Sequence, residues 1–432
     1  MPKEKIIEPV RKSLRLQRID ADTGISLPEK EPTSYHIRED DTPLRPPLKE
    51  LTIEDMTNNN DDFEATQGYF NEKVTPYIAD NIKTQKGSNS LFDDVKNVEK
   101  NLKKLRITPE RVAKVVPNRI FSLAIHPTES KVLLAAGGKW GSIGFWDVLD
   151  NESEKHGVQV IKHHSRPINC LTFDIYNSSK LISTSYDGSV RIFDINAQSS
   201  SVLFAYPEDS SNYCTYHCQL TNSTYLVSVG KAGICLIDSR QPHDKTAANF
   251  NVYEKASPKM VSAHPLKQDY FLAPSSKGDC AIFDRRNPSS GSKLMKPVVN
   301  LIGHTKALSS AKFSPLTGSQ VVTVAYDNKI RLFDTGSDWT KKELKPIKSI
   351  NHNNQTGRWL TTFKAEWHPQ RENVFFVGSM NQPRQMDVVV NNSELYALKG
   401  EDLASVCSIV QCHPTQDVIV GGNSSGRVHV FM

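Results

Sequence analysis

The sequence has no apolar run near the roughly 20 residues that a membrane-spanning helix needs. Its opening, Met1-Pro2-Lys3-Glu4-Lys5, leads into no apolar core of a signal peptide. These two absences predict a soluble intracellular chain with no membrane partner. Cysteine is sparse and odd in number, seven in 432 residues, and Cys170, Cys235, Cys280, Cys407 and Cys412 fall inside apolar strand patterns. Reduced, buried thiols are distributed that way, and a disulfide framework is not. Cys214-x-x-x-Cys218 with His217 lacks a second ligand pair at zinc spacing. Gly137-Gly138 and Gly421-Gly422 lie at strand ends instead of before a helix, so neither forms a phosphate loop. No metal and no cofactor is expected.

Apolar residues make up only 38% of the chain, and the deficit lies in the N-terminal quarter. Charge divides in the same place. Residues 1–116 carry 20 Lys/Arg against 21 Asp/Glu, a net of −1, and the remainder carries 33 against 27, a net of +6. The C-terminal part is thus mildly basic, which suits an anionic partner without requiring one.

What the chain does have is a unit of about 45 residues recurring from residue 118 onward. Each unit ends on an alternating apolar strand closed by Asp: Asp147, Asp194, Asp238, Asp284, Asp334 and Asp387, with a seventh running out at Phe431-Met432. His164 to Asp194 and His304 to Asp334 align without a gap. That period, with four short strands per unit, predicts an all-β fold, a seven-bladed WD-repeat β-propeller. The blades are placed at 118–147, 164–194, 213–238, 257–284, 304–334, 359–387 and 404–432, inside a domain spanning 107–432. The seventh unit lacks an outer strand, which would leave an open edge. Arg111-Val112-Ala113-Lys114-Val115-Val116 is the segment expected to supply it.

Residues 1–89 read as a disordered tail rich in Pro, Asn and mixed charge. Within it, Arg11 to Arg18 is a basic-apolar cluster that fits either a solvated tail or a nuclear-targeting or nucleic-acid-contacting element. Residues 90–106 predict one short amphipathic helix, capped by Ser90 and with Leu91, Val95, Val98, Leu102 and Leu105 on one stripe. The stripe would pack on the propeller or bind a partner. Residues 335–358 form a long Lys- and Asn-rich insertion expected to project from one face.

His164, Ser183 and Asp187, and likewise His304, Thr323 and Asp327, have the residue types of a catalytic triad. Their spacing is the one at which WD repeats pin a blade together, so they read as structural, and no catalytic residue and no enzyme activity are expected. The His-Pro pairs at 126, 264, 368 and 413 fall in turns of separate blades, too far apart for a metal site. The turns between second and third strands are more telling. Where two blades carry Asp187 or Asp327, others carry Lys139-Trp140, Lys231, Lys277 or Arg384. Segments leading into first strands add Lys162, His163, Arg166, Lys255, Lys259, Lys306 and Arg358. All of these emerge on one face, as a rim of cations suited to phosphates, although ordinary surface lysines give the same composition. Trp359 beside Arg358 either stacks on bases or opens the core of blade six.

With those residues in view, the chain resembles the fungal DNA damage-binding WD-repeat family of the changed-mutation-rate type. More distantly it is similar to the damaged-DNA-binding subunit of the UV-damage ubiquitin ligase. The segment from Thr356-Gly357-Arg358-Trp359 through Ala365-Glu366-Trp367-His368-Pro369, the Lys-bearing turns and Ser13-Leu14-Arg15-Leu16 carry the resemblance, which covers the chain from about residue 90. It implies a nuclear monomer, with room for a cytoplasmic pool, that binds double-stranded and damaged DNA and acts in DNA-damage response or DNA metabolism. In the ligase subunit the matching loop enters DNA at the lesion, but Gly357, Arg358 and Trp359 differ from its residues. Ligase adaptors carry Asp-x-Arg after a strand in adjacent blades, matched here by Asp238-Ser239-Arg240 and Asp284-Arg285-Arg286. The rival reading is therefore a non-enzymatic interaction scaffold or cullin-RING substrate adaptor, with Arg240 and Arg286 as its contacts and ubiquitin-ligase or chromatin proteins as partners. Either Arg can also simply pair with a neighbouring carboxylate.

Overall fold

Short alternating runs rich in Val, Ile, Leu and Ser/Thr, punctuated by turn residues, pair mostly antiparallel with their chain neighbours into seven sheets arranged as a seven-bladed β-propeller. The computed structural model describes residues 45–78, 100–150, 156–207, 210–230, 233–287, 294–336, 339–390 and 394–432. Blade one shows the plan, with strands Ile120–Ile125, Leu133–Gly138, Ser142–Asp147 and Val158–Lys162 in spatial order. The last blade combines Cys407–Cys412, Ile419–Asn423 and Arg427–Phe431 with Val112–Lys114 as its outer strand. In that pairing Val112 stands opposite His429 and Lys114 opposite Arg427.

Register fixes which loops share a face. The first residue of each inner strand opposes the end of the second strand, as in Ile120 with Gly138 and Leu308 with Ala325. The first residue of the third strand opposes the end of the outer strand, as in Ser142 with Lys162. The second-to-third turns and the lead-ins to each first strand therefore lie on one face, called upper here. The remaining turns lie on the lower face. The upper turns need left-handed backbone, supplied by Gly141 at φ 83° and in blade five by Asn328 at φ 61°. At Gly141 a Cβ would also stand 1.9 Å from the His164 carbonyl oxygen.

In blades two and five the His reaches from its lead-in to the turn Asp and a strand hydroxyl. His164 lies 2.9 Å from Asp187 and 2.8 Å from Ser183, and His304 lies 3.0 Å from Asp327 and 2.7 Å from Thr323. Burial holds both imidazoles below their usual pKa, that of His304 at about 4, and these groups tie turn to lead-in inside the protein.

Four parts of the chain depart from the sequence reading. Residues 45–78 are folded and are no part of a disordered tail; residues 1–44 and 79–89 lie outside the described residues. Leu51–Thr52 adds a fifth strand to blade two, and short helices Ile53–Met56 and Asn60–Gly68 come after it. The physical reason is burial. Phe70 is fully buried, with its ring 5.1 Å from that of Phe145 and 5.5 Å from that of Phe193, which bridges blades one and two. Such burial contributes about 2–3 kcal/mol. The wholly buried Arg191 also donates to the carbonyls of Pro46 and Pro47.

Second, of the helix at 90–106, residues 90–99 lie outside the described residues and helical backbone covers only 100–102. Leu102 and Leu105 are buried between blades six and seven. Third, the insertion at 335–358 does not project as a unit. Glu343–Leu344 adds a parallel fifth strand to blade four, and Lys348–Asn351 is the outer strand of blade five. Asp387 is also not a closing residue. The third strand of blade six runs Gln385–Val390, with Val390 opposite Val374, and buried Asp387 accepts from Gln385 and faces His352 at 3.4 Å.

Candidate nucleic-acid interface

The upper face is built from short turns whose backbones are fixed beneath them, so their side chains stand at set places. Lys162, Arg166, Lys255, Lys277, Lys306 and Arg358 are exposed there, and Lys139, Lys259 and Arg384 are half-buried. Lys139 lies 4.5 Å above the ring of half-buried Trp140, a cation–π contact that leaves its charge available to a ligand. Arg384 donates to the carbonyl of Met380. Lys231 lies outside the described residues. His163 does not belong to this surface, because it is wholly buried and hydrogen-bonded to Ser200 and Ser183. Carboxylates are fewer here: Glu254, Asp279, Glu401 and Asp402 share the face, while Asp187 and Asp327 are engaged by their histidines.

Trp359 is 70% exposed, which removes it from the core of blade six. Its loop is held firmly. Gly357 turns the chain at φ 58°, Arg119 of blade one donates to the Arg358 carbonyl at 2.8 Å, and Thr361 donates to the Ile120 carbonyl at 2.5 Å. The Arg358 guanidinium lies 4.7 Å from the Trp359 ring. The arrangement offers a cation and a large aromatic plane together, already positioned.

Sequence reasoning missed Arg119 and three tyrosines. Arg119 sits outside any repeated motif, and burial lowers its pKa. Tyr186 and Tyr213 meet edge to face at 5.3 Å, and Tyr326 bonds Thr356 of the Trp359 loop. Burial first, then the nearby Tyr213 and Tyr326, raises the Tyr186 pKa. The only sequence signal was that an aromatic stands at the start of two equivalent turns, Tyr186 and Tyr326. Gly230 is small because the Tyr213 ring occupies the place of its Cβ, 2.1 Å away.

Below the mouth, the channel is nearly filled. Lys312 and Glu366 form an ion pair, and Lys364 donates to the Asn169 carbonyl, its pKa pushed down to about 8 by burial. About 20 Å³ remains there, room for one water. The channel itself therefore has no room for a larger ligand. Among the described residues, no group of three or more His, Cys, Asp or Glu could hold a metal ion, and no helix is long and apolar enough to cross a membrane.

Arg240 and Arg286 lie on the lower face in adjacent blades. Each is bound to the Asp two residues before it, Arg240 to Asp238 at 2.5 Å and Arg286 to Asp284 at 2.8 Å, and both guanidinium groups remain well exposed.

Two segments, 156–194 and 295–334, match the family model "WD domain, G-beta repeat". The chain is 38% identical over 98% of its length to "WD repeat-containing protein 76" of Xenopus laevis, covering 70% of that protein. The mouse protein of the same name is 37% identical, with 67% of it covered. The chain belongs to this family. Fungal members carry the name "DNA damage-binding protein CMR1"; that of Phaeosphaeria nodorum is 28% identical over the whole chain, with 88% of it covered.

Proposed function

We propose that this protein binds double-stranded DNA on the upper face, prefers damaged duplex, and acts in the nucleus in DNA-damage response or DNA metabolism. One observation carries the reading: unpaired cations recur on equivalent turns around an exposed, preset Arg358–Trp359 tip. Lys139, Lys162, Arg166, Lys255, Lys259, Lys277, Lys306 and Arg384 hold phosphates, with Lys231 as a further candidate. Trp140, Arg358 and Trp359 contact bases. The name of the fungal relatives supports the choice of ligand. Binding is tested by fluorescence anisotropy with labelled duplex over a salt series. The expected result is affinity that falls steeply as salt rises, because each phosphate neutralised releases counterions, and tighter binding to irradiated duplex. Salt-independent or absent binding overturns it.

A second reading rests on the lower face. Arg240 and Arg286, exposed and oriented by their own aspartates in neighbouring blades, suit a protein partner such as a ubiquitin-ligase scaffold. Loss of ligase co-purification with Arg240→Ala and Arg286→Ala, DNA affinity being kept, supports it. Unchanged co-purification, or no ligase at all, removes it.

A further inference from the structure

The seams between blades are filled unequally. Between blades one and two the outer end is packed by Leu51, Met56 and Phe70 from the N-terminal segment. Between four and five it is packed by Leu344, and between six and seven by Leu102, Leu105 and Ile107. In each case an inserted segment delivers an apolar side chain into the gap. The seam between blades seven and one is different. Its inner part is packed by Ile120, Leu134, Val420 and Val428, but among the described residues no inserted segment fills its outer end.

What lies there is a groove of about 1190 Å³. Its sides are the outer strands Val112–Lys114 and Val158–Lys162, which run in the same direction, and the Met56 to Thr66 stretch borders it. A five-residue strand spans about 17 Å, so the groove suits a short extended peptide. The apolar side chains facing it are Ala113, Val158 and Val160, the last 37% exposed. Lys114, Lys162 and Arg427 gather at its upper end, all exposed. The register that sets Lys114 opposite Arg427 brings two of them together from different strands.

We infer that this groove takes an extended peptide of a partner protein, with a Leu- or Met-sized side chain in the seam and carboxylates at the Lys114, Lys162 and Arg427 end. The filled seams define the apolar anchor, and the three cations define the charge of the peptide residues beside that anchor. Anchors of this kind dominate peptide recognition, while the charges fix direction. The inference shares only Lys162 with the DNA reading; its apolar anchor site, Lys114 and Arg427 stand apart from it.

The test selects short random peptides displayed on phage against the full chain. Selected peptides are expected to carry Leu or Met with Asp or Glu close after it. Their affinity is expected to fall about tenfold or more with Val160→Glu and, separately, with Arg427→Glu. Val160→Glu should leave the melting temperature as it was, since the Val160 side chain is exposed. The inference is overturned if no peptide is selected, if selected peptides are basic, or if Val160→Glu leaves their binding intact. A dimer in sedimentation that Val160→Glu dissolves assigns the groove to a second copy and also overturns it.

Discussion

The two faces carry cations in opposite ways. On the lower face Arg240 pairs with Asp238, Arg285 with Asp269, and Arg286 with Asp284 and Asp269. Lys131 is likewise held by Asp147 at 2.6 Å. On the upper face Lys277, Lys306 and Arg166 stand exposed without an ion-pair partner, although Asp279 shares the turn of Lys277. A paired cation shapes a surface, whereas an unpaired one attracts an external anion. Net charge cannot make this distinction, because both faces contribute positive residues to the same sum.

The contrast can be broken in order of expected effect. It first requires that the positive charge be Lys and Arg alone, with the buried imidazoles neutral. Burial pushes His126, His304 and His429 down to about 4, and His217 and His368 down to about 3. Their folded pKa values lie below the unfolded 6.5, so the unfolded chain binds protons first. Stability is then complete above about pH 6.5 and lost as pH falls toward 4, at about 1–2 kcal/mol per shielded imidazole by pH 5. Urea midpoints at pH 7 and 5 should differ strongly, while duplex affinity between pH 7.5 and 6.5 should stay nearly flat.

The next effect is on the rim itself. Lys139→Glu, Lys277→Glu and Lys306→Glu together should lower duplex affinity by about a thousandfold at low salt. The slope of log affinity against log salt should become shallower by about three, and an unchanged slope in a salt titration removes these lysines from the interface. Trp359→Ala should cost about tenfold or more, the range of one lost stacking contact, with the salt slope preserved. Arg119→Ala should cost a few-fold by loosening the loop that Arg119 ties down, and combining it with Trp359→Ala should add little further loss in a double-mutant cycle. The smallest effect is reserved for the lower face. Lys267→Glu, which alters a cation stacked on Trp339 at 4.6 Å, should change duplex affinity less than about twofold.

The blades were legible because a β-period pattern and a recurring Asp report local pairing, and closing residues such as Asp147 and Asp334 lie where the spacing put them, opposite Leu133 and Gln320. Blade six misled for a physical reason. Its Asp387 is a buried partner of His352 and Gln385, so the same letter served another role three residues before the strand end. Residues 45–78 were misread because composition measures average polarity, while their order depends on a few anchors, Leu51, Met56 and Phe70, in gaps made by distant strands. At the upper face the lysines could be found by comparing turns. Arg119 and the meeting of Tyr186 with Tyr213 could not, since those contacts join blades and no period connects them.

The outer strand Val112–Lys114 has a consequence for how the protein is made. Its partner Arg427–Phe431 leaves the ribosome much later, and Arg111 donates to the Met432 carbonyl, 321 residues along the chain. At ordinary synthesis rates that wait is about 15–60 s. Through that interval the flank of blade one, with Val132, Leu134 and Trp146, has no neighbour to bury against. The newborn chain thus carries an open, aggregation-prone flank until this distant strand emerges, and deleting Arg427–Phe431 should be as damaging as deleting a whole blade.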